Sequence, residues 1–135
     1  MKLLVFIFLT VICKAPENRF LPIERSNRTN PFESIWEATC SVESNNNPLA
    51  YHMEDNGNPS LGIVQIQPSR VDDFNKRTGK HYKHTDMYDV VISKEVFMYY
   101  ASRGNLYDMD KVIRDWNGIG EMTYDYLKKV KAKLH

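Results

Sequence analysis

The run Asn30-Pro31-Phe32-Glu33-Ser34-Ile35-Trp36-Glu37-Ala38-Thr39-Cys40-Ser41-Val42-Glu43-Ser44 carries the clearest helical signature in the chain. Phe32, Ile35, Trp36, Thr39, Cys40 and Val42 recur at the three-and-four spacing of a buried helix face. Asn30 is a favoured N-cap, Pro31 suits a first turn, and Glu33 is placed to reach back as in a capping box. Asn45-Asn46-Asn47-Pro48 then breaks the helix near Ser44. Glu43 lies seven residues after Trp36 and four after Thr39, so the same spacing puts a carboxyl on the apolar face. Burial and the negative end of the helix dipole both disfavour its charged form. A carboxylic acid that keeps its proton near neutral pH can serve as a general acid or base.

Further along, a polar loop is expected from Asn45 to Ser60, with Asn56-Gly57-Asn58-Pro59 as its turn signal. The short apolar piece Gly62-Ile63-Val64-Gln65-Ile66 reads as a strand or an extended turn. A helix is expected after Pro68 to about Arg77, with Val71 and Phe74 inward. After a loop over Thr78 to Thr85, a long helix is expected from Asp86 to Arg103. Its inward residues would be Val90, Val96, Phe97, Tyr100 and Ala101, and Gly104 would cap it. Two more helices follow, from about Asp108 to Trp116, closed by Asn117-Gly118, and from about Glu121 to Lys133. The expected fold class is mainly α (α+β): one helical domain with a small extended element.

The remaining segments set the boundaries. Lys2 precedes the apolar run Leu3 to Cys13, which suits the core of a signal peptide and is too short to span a membrane as a helix. Residues 1–15 therefore read as a leader and Cys13 as a candidate lipid-attachment cysteine. Residues 16–29, with Pro16, Pro22 and little periodicity, read as a tether, leaving 30–135 as the domain. The chain has 135 residues, enough for one domain and not two. Lys+Arg total 18 against Asp+Glu 17, so nothing suggests a nucleic-acid partner. Two cysteines exclude a disulfide scaffold, and Cys40 reads as a buried small hydrophobe. His81 and His84 lack the companions a metal site needs, and serine-nucleophile and phosphate-loop motifs are absent. No metal or cofactor is expected. Lys128, Lys129, Lys131 and Lys133 complement the end of the last helix and read as a solvated face.

Glu43-Ser44, Pro48, Ala50 and Gly62-Ile63-Val64-Gln65-Ile66-Gln67-Pro68 resemble the lysozyme-like lytic transglycosylase family, which includes soluble lytic transglycosylases and goose-type lysozymes. Trp116-Asn117-Gly118 resembles that family's aromatic-Asn-Gly/Ala segment. Thr123-Tyr124-Asp125-Tyr126-Leu127 with Val130 resembles its closing Thr-x-x-Tyr-Val segment. The order matches over residues 32 to 130. Ile63-Val64 stand where the family usually has Leu-Met, and the 86–103 segment lacks its usual Asn-Ile pair and inward glycine.

The resemblance implies a lysozyme-like domain that cuts the bond between N-acetylmuramic acid and N-acetylglucosamine in peptidoglycan. Glu43 would be the catalytic acid, with Gln65 near the scissile sugar and Ser44 orienting Glu43 or the substrate. Asn117 would reach the substrate or the cleft floor, and Tyr126 would hydrogen-bond near Glu43. Such enzymes manage with one acid and leave 1,6-anhydro ends, whereas hydrolysis needs a second carboxyl group. Glu54 and Asp55 are candidates for it, and Asp55 lies in a stretch resembling an acid-bearing loop of goose-type lysozymes. Tyr51, Tyr99, Tyr100, Tyr107 and Trp116 are candidates to stack on sugars.

The resulting expectation is an exported, monomeric enzyme of the periplasm or cell envelope that acts by the lytic route. The alternatives are a muramidase using Asp55, or a binding module that holds glycan without cutting it. An envelope-spanning secretion or conjugation apparatus is one context in which local wall opening would serve.

Overall fold

The computed structural model describes residues 30–54 and 57–134. The leader and tether expected over 1–29, Cys13 among them, and Asp55 lie outside the described residues. Among the described residues the chain forms five α-helices, one 3₁₀ helix and a two-stranded antiparallel sheet. The helices are α1 (Glu33–Ser44), α2 (Pro68–Thr78), α3 (Val90–Ala101), α4 (Met109–Asn117) and α5 (Met122–Lys131). The strands are β1 (Tyr51–Met53) and β2 (Pro59–Leu61), and the 3₁₀ helix covers His84–Tyr88.

Helix α1 buries Ile35, Trp36, Thr39 and Cys40, as its periodicity predicts. Its start differs from the expected capping box. Asn30 closes the turn before the helix, its Oδ1 accepting from the Phe32 N–H at 3.1 Å and its carbonyl from the Glu33 N–H at 2.9 Å. The Glu33 carboxylate pairs with Lys94 of α3 instead of reaching back. At the other end Asn45 takes a left-handed conformation, and the N–H groups of Asn45 and Asn46 close the last carbonyls.

The extended element lies elsewhere than expected. β1 and β2 form inside the 45–60 stretch read as loop, with Tyr51 opposite Leu61 and Met53 opposite Pro59. Residues 62–65 are a turn, not a strand. Leu61 and Ile66 exchange backbone hydrogen bonds at 2.8 and 3.0 Å across it. Gly62 sits at φ +78°, and a Cβ there would lie 1.9 Å from the Met87 carbonyl oxygen. An apolar run that ladders with nothing along its length folds back on itself where a glycine permits the turn. Leu61, Val64 and Ile66 carry it into the core.

The expected long helix over 86–103 is divided. The 3₁₀ helix ends at Tyr88, and Asp89 then caps α3, its Oδ1 accepting from the N–H groups of Val91 at 2.8 Å and Ile92 at 3.2 Å. A capping aspartate restarts the helix, so Val90, read as inward, sits exposed at its first turn. Helix α3 ends at Ala101, before Gly104. Gly104 serves packing instead, since a Cβ there would meet Val112 of α4 at 2.4 Å.

The core lies between α1, α3, α4 and α5. Trp36 meets Phe97 edge-on at 5.3 Å, and Phe97 meets Trp116 at 4.8 Å. Burying each of these rings contributes about 2–3 kcal/mol. This aromatic chain fixes α1 against α3 and α3 against α4, and thereby places the end of α1 across from the start of α2 and the end of α4.

Candidate functional site

The C-terminal end of α1, the turn after β2, the first turn of α2 and the end of α4 enclose a polar cleft of about 340 Å³. Glu43, Glu54, Gln65, Arg70, Trp116 and Asn117 line it, with Gln67 and Ser69 at its α2 side. Glu43 is half-buried at the penultimate position of α1. Burial pushes its carboxyl up from 4.5 to about 7. The Tyr126 hydroxyl and the Arg70 and Lys129 cations pull it back down, while the Glu54 charge adds to the rise. Desolvation is the larger influence, so the group retains its proton well above the usual carboxylate range.

Tyr126 comes from the buried face of α5 and donates its phenol hydrogen to Glu43 Oε1 at 2.7 Å. Burial, and then the nearby Glu43 charge, raise the phenol's pKa, so it stays a donor throughout the physiological range. Thr39, one turn before Glu43 on α1, interacts with the same phenol. Among the described residues no fully buried side-chain polar atom lacks a hydrogen-bond partner.

Arg70 is the site residue that motif reading missed. Its guanidinium lies 4.1 Å from the centre of the Trp116 ring and 5.4 Å from that of Tyr100. Nη2 donates to the Trp116 carbonyl at 2.9 Å. The signal was present, because Arg70 precedes the core residue Phe74 by four and so shares its helix face, as Glu43 shares that of Thr39.

The structure brings Glu43, Gln65 and Asn117 to one cleft, with Tyr126 hydrogen-bonded to Glu43. Gln65 holds a left-handed backbone at φ +51°, and its amide donates to the Gly62 carbonyl at 2.8 Å. Its side chain is thus fixed on the cleft wall by the turn itself. Ser44 has a different place. Its hydroxyl donates to the Ile63 carbonyl at 2.7 Å and accepts from the Asn47 N–H at 3.0 Å. It ties the end of α1 to the turn instead of orienting the Glu43 carboxyl.

Among the described residues the second carboxyl group of the cleft is Glu54, read from sequence as one of two loop acids. The buried Ser60 hydroxyl donates to Glu54 Oε1, which holds that carboxylate on the cleft side of the hairpin. Of the aromatic candidates, Trp116 lines the cleft. Tyr99 and Tyr100 pack against neighbouring rings, and Tyr51 and Tyr107 stand exposed. Cys40 is buried, and that burial pushes its thiol up to about 12, which makes it a poor nucleophile. His84 hydrogen-bonds the Ile66 carbonyl at 2.7 Å and braces the turn. Among the described residues no cluster of three metal-ligating side chains occurs, and no helix is long and apolar enough to cross a membrane.

Compared with known proteins, the chain matches no family model, no curated protein and no solved structure.

Proposed function

We propose that this chain is an exported enzyme with a lysozyme-like domain that cleaves peptidoglycan glycan strands by the lytic route. The observation that carries the reading is Glu43: one carboxyl held near neutral pKa, anchored by a buried phenol, in a polar cleft with an aromatic wall. Protonated Glu43 gives its hydrogen to the glycosidic oxygen as the C1–O bond breaks. The resulting carboxylate takes the hydrogen of the sugar's own C6 hydroxyl as O6 bonds to C1. This leaves a 1,6-anhydro end and returns Glu43 to its starting state. An acid with a pKa of about 7 is matched to both halves of that exchange at neutral pH. Gln65 and Asn117 supply hydrogen bonds to the sugar, and Trp116 a face for it.

Glu54 favours a second reading, hydrolysis. Its carboxylate lines the cleft that Glu43 enters and is pinned by Ser60. Inverting hydrolysis requires a base that holds water on the far side of the sugar ring. Such a substrate would place the chain in the periplasm or envelope.

The test is digestion of purified peptidoglycan by the full chain, read by mass spectrometry beside Glu43→Gln and Glu54→Gln. Anhydro-ended fragments that vanish in Glu43→Gln and persist in Glu54→Gln are expected. Reducing-ended fragments that vanish in both would establish hydrolysis. Absence of fragments from folded protein that still sediments with peptidoglycan would leave a binding module.

A further inference from the structure

Arg70 and Trp116 form a wall with two sides. Behind the cleft that holds Glu43, they also line a second cavity of about 260 Å³ between α2, α3 and α4. Its floor is apolar, built from Phe97, Val112 and Trp116. Its rim carries three guanidinium groups, those of Arg70, Arg77 and Arg103, against one carboxylate, Asp115.

The rim charges are not equally engaged. Arg77 is paired with Asp73 at 2.7 Å, and Asp115 with Lys111. Among the described residues Arg70 and Arg103 make no ion pair. Arg103 donates to the Tyr99 hydroxyl at 3.1 Å and rests 5.2 Å from the centre of that ring. Arg70 is half-buried and answered by one carbonyl and two aromatic faces. A half-buried guanidinium that no carboxylate contacts directly keeps donors to offer, and its fork shape suits a carboxylate.

We propose that this second cavity binds a small carboxylate bearing an aromatic or branched apolar body. The carboxylate would be taken by Arg70 and Arg103, and the body would lie on Phe97, Val112 and Trp116. Inorganic anions lack the body the floor would accept, and neutral apolar molecules lack the charge the rim calls for. This site does not depend on the chain's acting on peptidoglycan.

The shared arginine also couples the cavity to Glu43. The groups that face Glu43 are Arg70 from α2, Tyr126 and Lys129 from α5, and Glu54 after β1. An anion drawing on Arg70 from behind weakens the cation's hold on Glu43, whose carboxyl then keeps its proton to higher pH. Linkage makes the effect reciprocal, so ionised Glu43 weakens the anion's binding.

The probe is benzoate, titrated into the full-length protein and followed by NMR of the arginine side chains, the Trp116 indole and the ¹³C-labelled Glu43 carboxyl. Benzoate at millimolar concentration is expected to move the Arg70, Arg103 and Trp116 signals and to raise the Glu43 midpoint by about half a pH unit. Arg103→Gln, an exposed change that leaves the fold alone, should weaken benzoate about tenfold, as expected for losing one of two guanidinium partners. Benzamide and inorganic phosphate should bind far more weakly. Absent shifts, unchanged affinity in Arg103→Gln, or equal binding by benzamide or phosphate would overturn the site. Binding that leaves the Glu43 midpoint in place would overturn the coupling.

Discussion

Replacing Glu43 by Gln should stabilise the protein, and only above a definite pH. In the unfolded chain the carboxyl ionises with a pKa near 4.5, whereas burial holds it at about 7 in the folded state. Between those values the unfolded chain has released a proton that the folded chain still binds. Stability therefore falls as pH rises through this window, then levels off above it. The gap corresponds to about 3 kcal/mol at about 1.4 kcal/mol per pH unit. The open mouth of the cleft admits solvent and reduces the figure to about 2 kcal/mol. Gln has nearly the shape of protonated Glu, can accept from Tyr126, and does not ionise. At pH 4 the variant and the parent should unfold at nearly the same urea concentration. At pH 8 the variant should be more stable by about 2 kcal/mol. Differences taken between the two proteins cancel every other titrating group. A gain of equal size at pH 4 and pH 8 would refute the claim that burial raises this pKa.

Other consequences follow from single contacts. Tyr126→Phe removes the donor that favours ionised Glu43, so the Glu43 midpoint should climb by about one pH unit beyond about 7, read from its ¹³C carboxyl signal. Gly62→Ala should destabilise the chain by about 3 kcal/mol or more, because its Cβ has no room against the Met87 carbonyl. Gly79→Ala, equally left-handed but with open space around it, should cost only about 1 kcal/mol; denaturant titration of the two variants separates strain from collision. Cys40 should resist iodoacetamide in the folded protein and react promptly in urea, since its thiol is buried and pushed up to about 12.

The helices were legible because each carries its own signal. Trp36, Val71, Phe74 and Phe97 all fall on the inward faces that their spacing predicts. The hairpin was not, because three-residue strands hold too few residues to show alternation, and β1 is exposed throughout. The division of the 86–103 helix was hidden in Asp89, whose capping role depends on a side-chain bond and not on composition. Glu43 was legible as a carboxyl on an apolar stripe. Arg70 obeyed the same rule on α2, but no motif drew attention to it. Glu54 could not be distinguished from a solvated loop acid, since its anchor at Ser60 exists only once β1 and β2 pair.

The acid and its restraints come from distant parts of the chain. Tyr126 is 83 residues beyond Glu43, and the Trp116 carbonyl is 46 beyond Arg70. In the unfolded chain the Glu43 carboxyl faces water and titrates like any other. Folding removes the water, which raises its pKa, and brings in the Tyr126 phenol, which limits the rise and fixes one oxygen. Packing without the hydroxyl would leave an acid that ionises about one pH unit higher, with neither oxygen held by the phenol. A hydroxyl without the packing would leave an ordinary carboxylate. The near-neutral value is therefore a balance in which burial, the largest influence, is opposed first by the Tyr126 hydroxyl and then by the Arg70 and Lys129 cations. That is why the pH dependence of stability and the Glu43 midpoint in Tyr126→Phe report on the same structural fact from opposite directions.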